Sequence, residues 1–223
     1  MEIRGRLWEL GSGDVFLNYP GMEYRCRHHQ QVPNDECTSI ACVLPTGSSG
    51  EIVAFEGAVR AQPVLPRCNR LAYLFLRAKR ASNDQLAAEE AAHEVIISII
   101  HRAGSLRRAY REHQLTWYAE RVDAVRRLID QHPAADYTLV ALARSVGMST
   151  FHFARIFREL VGIPPHLFLC RTRLRHAACR LRDGASVTDA CFSSGFQNLS
   201  HFSRQFHRQF GVKPSAYPRK TAG

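Results

Sequence analysis

Residues 138–168 (TLVALARSVGMSTFHFARIFRELVGIPPHLF) and residues 186–217 (SVTDACFSSGFQNLSHFSRQFHRQFGVKPSAY) are two copies of one phrase. Leu139 aligns with Val187, Gly147 with Gly195, Arg155 with Arg204, Phe157 with Phe206, Gly162 with Gly211 and Pro165 with Pro214. The offset is 48 up to the glycine and 49 beyond it, so the second copy holds one extra residue just past its turn. Two copies are fewer than the roughly three that a stacked solenoid needs, so each must close a small core of its own. In the first copy Leu139, Leu142 and Ala143 pattern a short helix, Gly147 marks a sharp turn, and Ser149 is placed to cap a second helix over 150–161. There Phe153, Ile156, Phe157 and Leu160 form one inward stripe, which leaves Phe151, His152, Ala154, Arg155, Arg158 and Glu159 outside. In the second copy Phe202, Phe206 and Phe210 point inward; Ser200, His201, Arg204, His207 and Arg208 point out, with Asn198 near the helix start. Helix, turn and helix, twice over, is the pattern of a doubled DNA-reading module.

The charge supports a polyanionic partner for this half of the chain. Residues 1–104 hold 11 Lys and Arg against 12 Asp and Glu, whereas residues 105–223 hold 19 against 8, so the net +10 resides in the second half. Neutralising phosphates releases condensed counterions, which is why such an excess suits a nucleic acid; a solvated basic face or an anionic membrane surface is the alternative on charge alone. A major groove accepts an α-helix, arginine reads guanine bidentately, and an apolar side chain matches the thymine methyl. Arg155 and Arg204 fall at equivalent outward positions, so double-stranded DNA is the expected partner, read at its bases. Between the copies, residues 165–182 read as one helix opened by proline and stopped by Asp183-Gly184. At 1.5 Å per residue it spans about 27 Å, which suits two readers about one DNA turn apart. Arg171, Arg173, Arg175, Arg180 and Arg182 crowd it, and some of them are expected on phosphates. The expected DNA-binding set is Ser149, Thr150, Phe151, His152, Ala154, Arg155, Arg158, Arg171, Arg173, Asn198, Ser200, His201, Arg204, Arg208 and Lys213.

Read together, GMSTFHFARIFRELVGIPPHLFLCRTRLRHAACRL and VTDACFSSGFQNLSHFSRQFHRQFGVKPSAY resemble the DNA-binding domain of the AraC/XylS transcription regulators. The likeness covers about residues 116–219, and the run GFxxxSHFSRxFxxxFGVxPSxY from Gly195 to Tyr217 is its most specific part. The resemblance implies seven helices, two helix-turn-helix units bridged by a long helix, and sequence-specific binding upstream of promoters, most often to activate transcription through RNA polymerase. By position it puts Phe151, Ala154 and Arg155, and then Ser200, His201 and Arg204, against bases. Two departures stand out: Cys191 replaces the usual alanine of the second supporting helix, and Ala154 is too short to donate a hydrogen bond.

The first half is read as a different kind of domain. Strand-length apolar stretches at 14–19, 40–44, 52–55, 58–64 and 71–76, broken by Gly and Pro, suggest a small sheet. A helix over 83–103 follows, with Leu86, Glu90, His93, Ile97 and Ile100 on one strip and an end that is apolar nearly all round. That end is expected to pack on the sheet or on the same helix of a second chain. The fold class is thus α+β: a mainly-β effector-sensing or dimerisation domain over 1–104, cupin-like or a partial barrel, a linker over 105–115, and an all-α DNA-binding domain over 116–219 with its units at 138–162 and 186–211. The stretch GDVFLNYPGMEYRCRHHQQVPNDEC is loosely similar to one found in some AraC-type regulators but lacks a cupin's HxH spacing.

Seven cysteines, at 26, 37, 42, 68, 170, 179 and 191, show no CxxC pair, which suits reduced thiols. Cys26, His28, His29, Asp35, Glu36 and Cys37 are dense enough to hold a transition metal, although C-x-H-H-x7-C matches no common finger, and a polar loop is the default. A metal there would make the chain a metal or redox sensor. No GxSxG, P-loop, HExxH or dinucleotide glycine pattern is present, so neither catalysis nor a cofactor is expected. No secretion signal or run of 18 apolar residues is visible, so the expected place is the cytoplasm, on the nucleoid. A small-molecule effector, a homodimer through the first half, a cupin-type enzyme fused to a regulator domain, and a nonspecific architectural DNA binder remain open readings.

Overall fold

The structure, a computed structural model, describes residues 2–3, 5–11, 13–19, 21–25, 53, 56–57, 59–81, 84–100 and 109–218. The chain divides into two compact units, residues 1–115 and 116–223.

In the first unit β1 (Glu2–Ile3), β2 (Arg6–Leu7) and β4 (Tyr24–Arg25) form a three-stranded antiparallel sheet with β1 in the middle. β3 (Val15–Phe16) pairs antiparallel with β5 (Val64–Leu65), Val15 opposite Leu65 and Phe16 opposite Val64. Asp14 fastens that ribbon, its carboxylate accepting the Gly11 and Arg67 amides at 2.8 Å each. Two helices supply most of the other described residues: α1 (Asn69–Arg80), capped by the Cys68 sulfur, and α2 (Gln85–Ile100). They pack together through Leu71 and Leu74 on one side and Ala91, Val95, Ile96 and Ile99 on the other, and the Arg77–Glu94 ion pair (2.9 Å) and the Arg70–Ser98 hydrogen bond (3.0 Å) fasten the seam.

This corrects the mainly-β reading of the first half. The stretch 71–76, taken for a strand, is the middle of α1, whose leucines recur at helical spacing; Val59, Arg60 and Ala61 are helical too. Every described strand is two residues long, so, among the described residues, what the sequence presents as a sheet with a helical appendage is a helix pair edged by short ribbons. The α2 strip is also rotated. Leu86, Glu90, His93 and Ile97 are exposed, and the residues one position on from His93 and Glu90 face α1. A helix apolar nearly all round offers no moment from which to phase it. The proposed strands at 40–44 and nearly all of 52–55 lie outside the described residues.

The unit boundary falls inside α3 (Glu112–Gln131), which starts one turn earlier than the expected 116, so residues 112–115 are helix rather than linker. Then come α4 (Leu139–Ser145), α5 (Thr150–Val161), α6 (Pro165–Arg182), α7 (Val187–Ser193), α8 (Leu199–Phe210) and a closing 3-10 turn, Pro214–Ala216. The second unit is thus six described α-helices and one 3-10 turn where the family likeness implied seven helices. Two cores lie in it. Val122, Val125 and Ile129 of α3, Leu142 of α4 and the full α5 stripe are buried in the first, where the Phe157 and Phe168 rings meet at 5.6 Å. Leu174, Ala177, Ala178 and Leu181 of α6 close on Ala190, Cys191, Phe196, Phe202 and Phe206 in the second. Phe210 is only partly buried and packs on Tyr217 (5.5 Å). Cys191 is fully buried, and burial raises its thiol pKa.

Both turns are Schellman motifs. Gly147 donates to the Arg144 carbonyl and Met148 to that of Ala143; Gly195 donates to Phe192 and Phe196 to Cys191. Both glycines are left-handed, at φ 67° and 86°, but their surroundings differ. A Cβ on Gly147 meets open space, whereas one on Gly195 comes 2.9 Å from the Ala134 Cα. Gly147→Ala is expected to cost about 1–2 kcal/mol, the left-handed penalty alone. Gly195→Ala adds overpacking, about 1–3 kcal/mol more. Urea unfolding of the two full-length variants checks the order, and equal losses would contradict the close approach at Gly195.

Candidate nucleic-acid interface

The first candidate reading helix, α5, is started by Ser149, whose hydroxyl accepts the His152 amide at 3.4 Å, and ends at a left-handed Gly162. With one stripe fully buried, the opposite face is fixed by geometry. Phe151 is 82% exposed, an apolar ring held in solvent at the second position of the helix. Thr150 and Ala154 are half-buried and Arg158 is exposed. Arg155 is not a bare reader. It pairs with Glu159 one turn on, at 3.7 Å, and the Glu159 side chain is only 11% exposed. The i, i+4 spacing of this pair is legible in the sequence. His152, taken for an outward residue, turns instead toward α3, with Nε2 3.2 Å from the Tyr118 hydroxyl and the two rings 5.5 Å apart. It anchors α5 rather than projecting from it.

The second helix, α8, is capped by Asn198, which accepts the His201 amide at 2.8 Å. Met148 and Phe196 follow the two turn glycines equivalently, so the extra residue of this copy is Gln197, exposed between turn and cap, while Phe196 is buried against Phe202 with ring centroids 5.1 Å apart. Ser200, His201, Arg204 and Arg208 are all exposed, as is Lys213 beyond the helix. Arg208 stands where the first copy has Glu159, so no carboxylate of α8 reaches back to Arg204, which has no ion-pair partner among the described residues. Neither α5 nor α8 carries an acidic residue in its first turn, which leaves the positive ends of both helix dipoles uncompensated.

On α6, Arg171, Arg175, Arg180 and Arg182 are exposed; Arg175 bonds Thr172 (3.2 Å) and lies 3.9 Å from Asp130. Arg173 departs from its expected place on a phosphate. Its Nε donates to the Pro133 carbonyl at 2.9 Å and its Nη2 to that of Ala135 at 2.8 Å. Nothing in the local pattern distinguishes it from its neighbours, because its acceptors are backbone carbonyls 38 to 40 residues away. Cys26, His28, His29, Asp35, Glu36 and Cys37 lie outside the described residues. Cys68, Cys170, Cys179 and Cys191 are free thiols. No helix among the described residues is long and apolar enough to cross a membrane.

Comparison with known proteins bears on the same segment. A family model described as a helix-turn-helix domain matches residues 142–220. The HTH-type transcriptional regulator MtrA of Neisseria gonorrhoeae is 31% identical over 108 residues, 48% of this chain and 36% of that protein. The HTH-type transcriptional activator RhaS of Shigella boydii is 32% identical over 110 residues, 49% of this chain and 40% of that protein. The chain thus covers well under half the length of these relatives. Among solved structures, a probable AraC family transcriptional regulator from Rhodopseudomonas palustris is 36% identical, covering 43% of this chain and 92% of that one, with a TM-score of 0.41. The DNA-binding domain of AdpA, solved with a target DNA, is 29% identical, covering 43% of this chain and 87% of that one, with a TM-score of 0.42. Residues 142–220 are thus a helix-turn-helix domain, the part that this chain shares with AraC-type transcriptional regulators.

Proposed function

We propose that the chain is a sequence-specific regulator whose α5 and α8 enter successive major grooves of promoter DNA. The observation that carries this reading is the pairing of one buried stripe with one outward face on each helix, Phe151 and Arg155 on the first and Ser200, His201 and Arg204 on the second. Arg204 has the reach and the donors for a guanine edge, and the exposed Phe151 ring suits a thymine methyl. Ser149, Thr150, Arg158, Arg171, Asn198, Arg208 and Lys213 are assigned to the backbone, where amides, hydroxyls and cations fix register. His152 and Arg173 leave that set. The 18 residues of α6 span about 27 Å, close to the pitch that separates neighbouring grooves on one face of the duplex. Activation is taken over from the relative named as an activator, and action through RNA polymerase from the family resemblance; action in the cytoplasm, domain bounds of 1–104 and 116–219, an effector and a homodimer through the first half complete the reading.

The test is selection of binding sites from random duplexes by the full chain. The expected result is a site of two base blocks one turn apart, preferred over random duplex by about 10³ or more. Equal affinity for all duplexes would make the chain an architectural binder. Arg204→Ala is expected to weaken the selected site by about 1–3 kcal/mol and relax one base pair, whereas Arg208→Ala lowers the salt slope by about one on every sequence. Equal losses on selected and random DNA for Arg204→Ala contradict base reading. Glu159→Gln removes the charge that pairs with Arg155 and one negative charge from the helix that is proposed to meet a polyanion. It is expected to tighten binding by up to about 1 kcal/mol, measured by fluorescence anisotropy, and unchanged affinity would show that the ion pair does not restrain the first reader.

A further inference from the structure

Arg173 sits near the middle of α6, between buried Thr172 and Leu174, and its guanidinium is spent on the loop that leads into α4. That loop holds its own shape: the Ala135 amide donates to the His132 carbonyl (3.1 Å) and the Tyr137 hydroxyl to that of Leu128 (3.1 Å). Arg173 therefore grips a formed element at two points. On its other side is the turn of the second helix-turn-helix, where a Cβ on Gly195 would stand 2.9 Å from the Arg173 Nε and 2.9 Å from the Ala134 Cα. One guanidinium and one missing side chain thus bring the entry of the first reader unit against the turn of the second. A Cβ on the matching glycine of the first copy, Gly147, would meet no atom within 4 Å, so no such close approach occurs at that turn. Beside it the surfaces part into a cleft of about 440 Å³, lined by Asp136 and Ala134 on one side and Asn198 and His201 on the other.

We infer that Arg173 is a positioning residue that sets the separation of the two reading helices and, through it, the spacing between base blocks that the protein accepts. The inference rests on the two-groove reading proposed above. One base pair is a 3.4 Å step along the duplex, so a second reader that must land in register gains from being held in place beforehand. Without the joint each helix keeps its own outward face and its own contacts. What is lost is the advantage of presenting both at once, which acts as an effective concentration of the second reader for its block.

The experiment uses the full chain and the site that it selects, with three derived duplexes: one base pair inserted between the blocks, one deleted, and one block scrambled. For the unmodified protein, insertion or deletion is expected to lower affinity by about 30-fold or more, to near the level of a single block. Arg173→Gln is expected to lose about 10-fold at the natural spacing, to show an insertion penalty below about 3-fold, and to bind the scrambled duplex within about 2-fold of the unmodified protein. Arg173→Lys, with one donor in reach of one carbonyl, should fall between. A spacing penalty that Arg173→Gln leaves intact overturns the inference, as does a loss of equal size on all four duplexes with a salt slope lower by about one, the signature of a phosphate contact. If Arg173→Gln does not fold, the penalty measured for Arg173→Lys decides in the same way. Selection of a single block by the unmodified protein defeats the two-groove reading itself, a distinct outcome.

Discussion

One helix belongs to two cores. Phe168, near the start of α6, closes the first with Phe157, and Leu174 to Leu181 close the second with Phe202 and Phe206. Because a packed interior behaves as a close-fitted solid, each core fixes the face of α6 that it touches, and the helix carries the orientation of one unit to the other. Fully buried aromatics dominate both interiors, at about 150–250 Å² of buried surface each. The outward faces of α5 and α8 are consequences of that burial. A reading helix is outward where it is not anchored, and the anchoring is apolar.

The second unit was legible because its signals are local and redundant. Period-3.6 stripes, a glycine at each turn and a capping Ser or Asn say the same thing at several levels, and the repetition checks each copy against the other. Residues within the stripe were placed correctly down to Leu160 and Phe206. The outward residues were less readable, because orientation away from the core does not say what a side chain meets. His152 found Tyr118, 34 residues back, and Arg173 found carbonyls about 40 residues back; neither partner lies within a helical turn, so no periodicity reveals it. Arg155 with Glu159 is the opposite case, since the partner stands at i+4.

The first unit misled for a physical reason. Leu71, Tyr73 and Leu74 are apolar and short of a full helical period when read beside Pro66 and Asn69, and a run of six such residues serves a strand or a buried helix equally well. Packing decides between them. Here α2 covers α1, and the ion pair of Arg77 with Glu94 rewards a helix pair. On α2 itself the even spread of apolar residues hid the facing side until Ala91 and Val95 met their partners.

The two copies are alike in core and unlike in charge. Where the first places an acid, Glu159, the second places a base, Arg208, and of the two turn glycines only Gly195 stands where an added Cβ would meet another part of the chain. A molecule with unlike ends cannot be turned around on its ligand without exchanging a restrained arginine for an unrestrained one. On the proposed reading, a single subunit therefore confers direction: the stretch of duplex that suits it has a left and a right, and placing that stretch in reverse presents the opposite end of the protein to the flanking duplex.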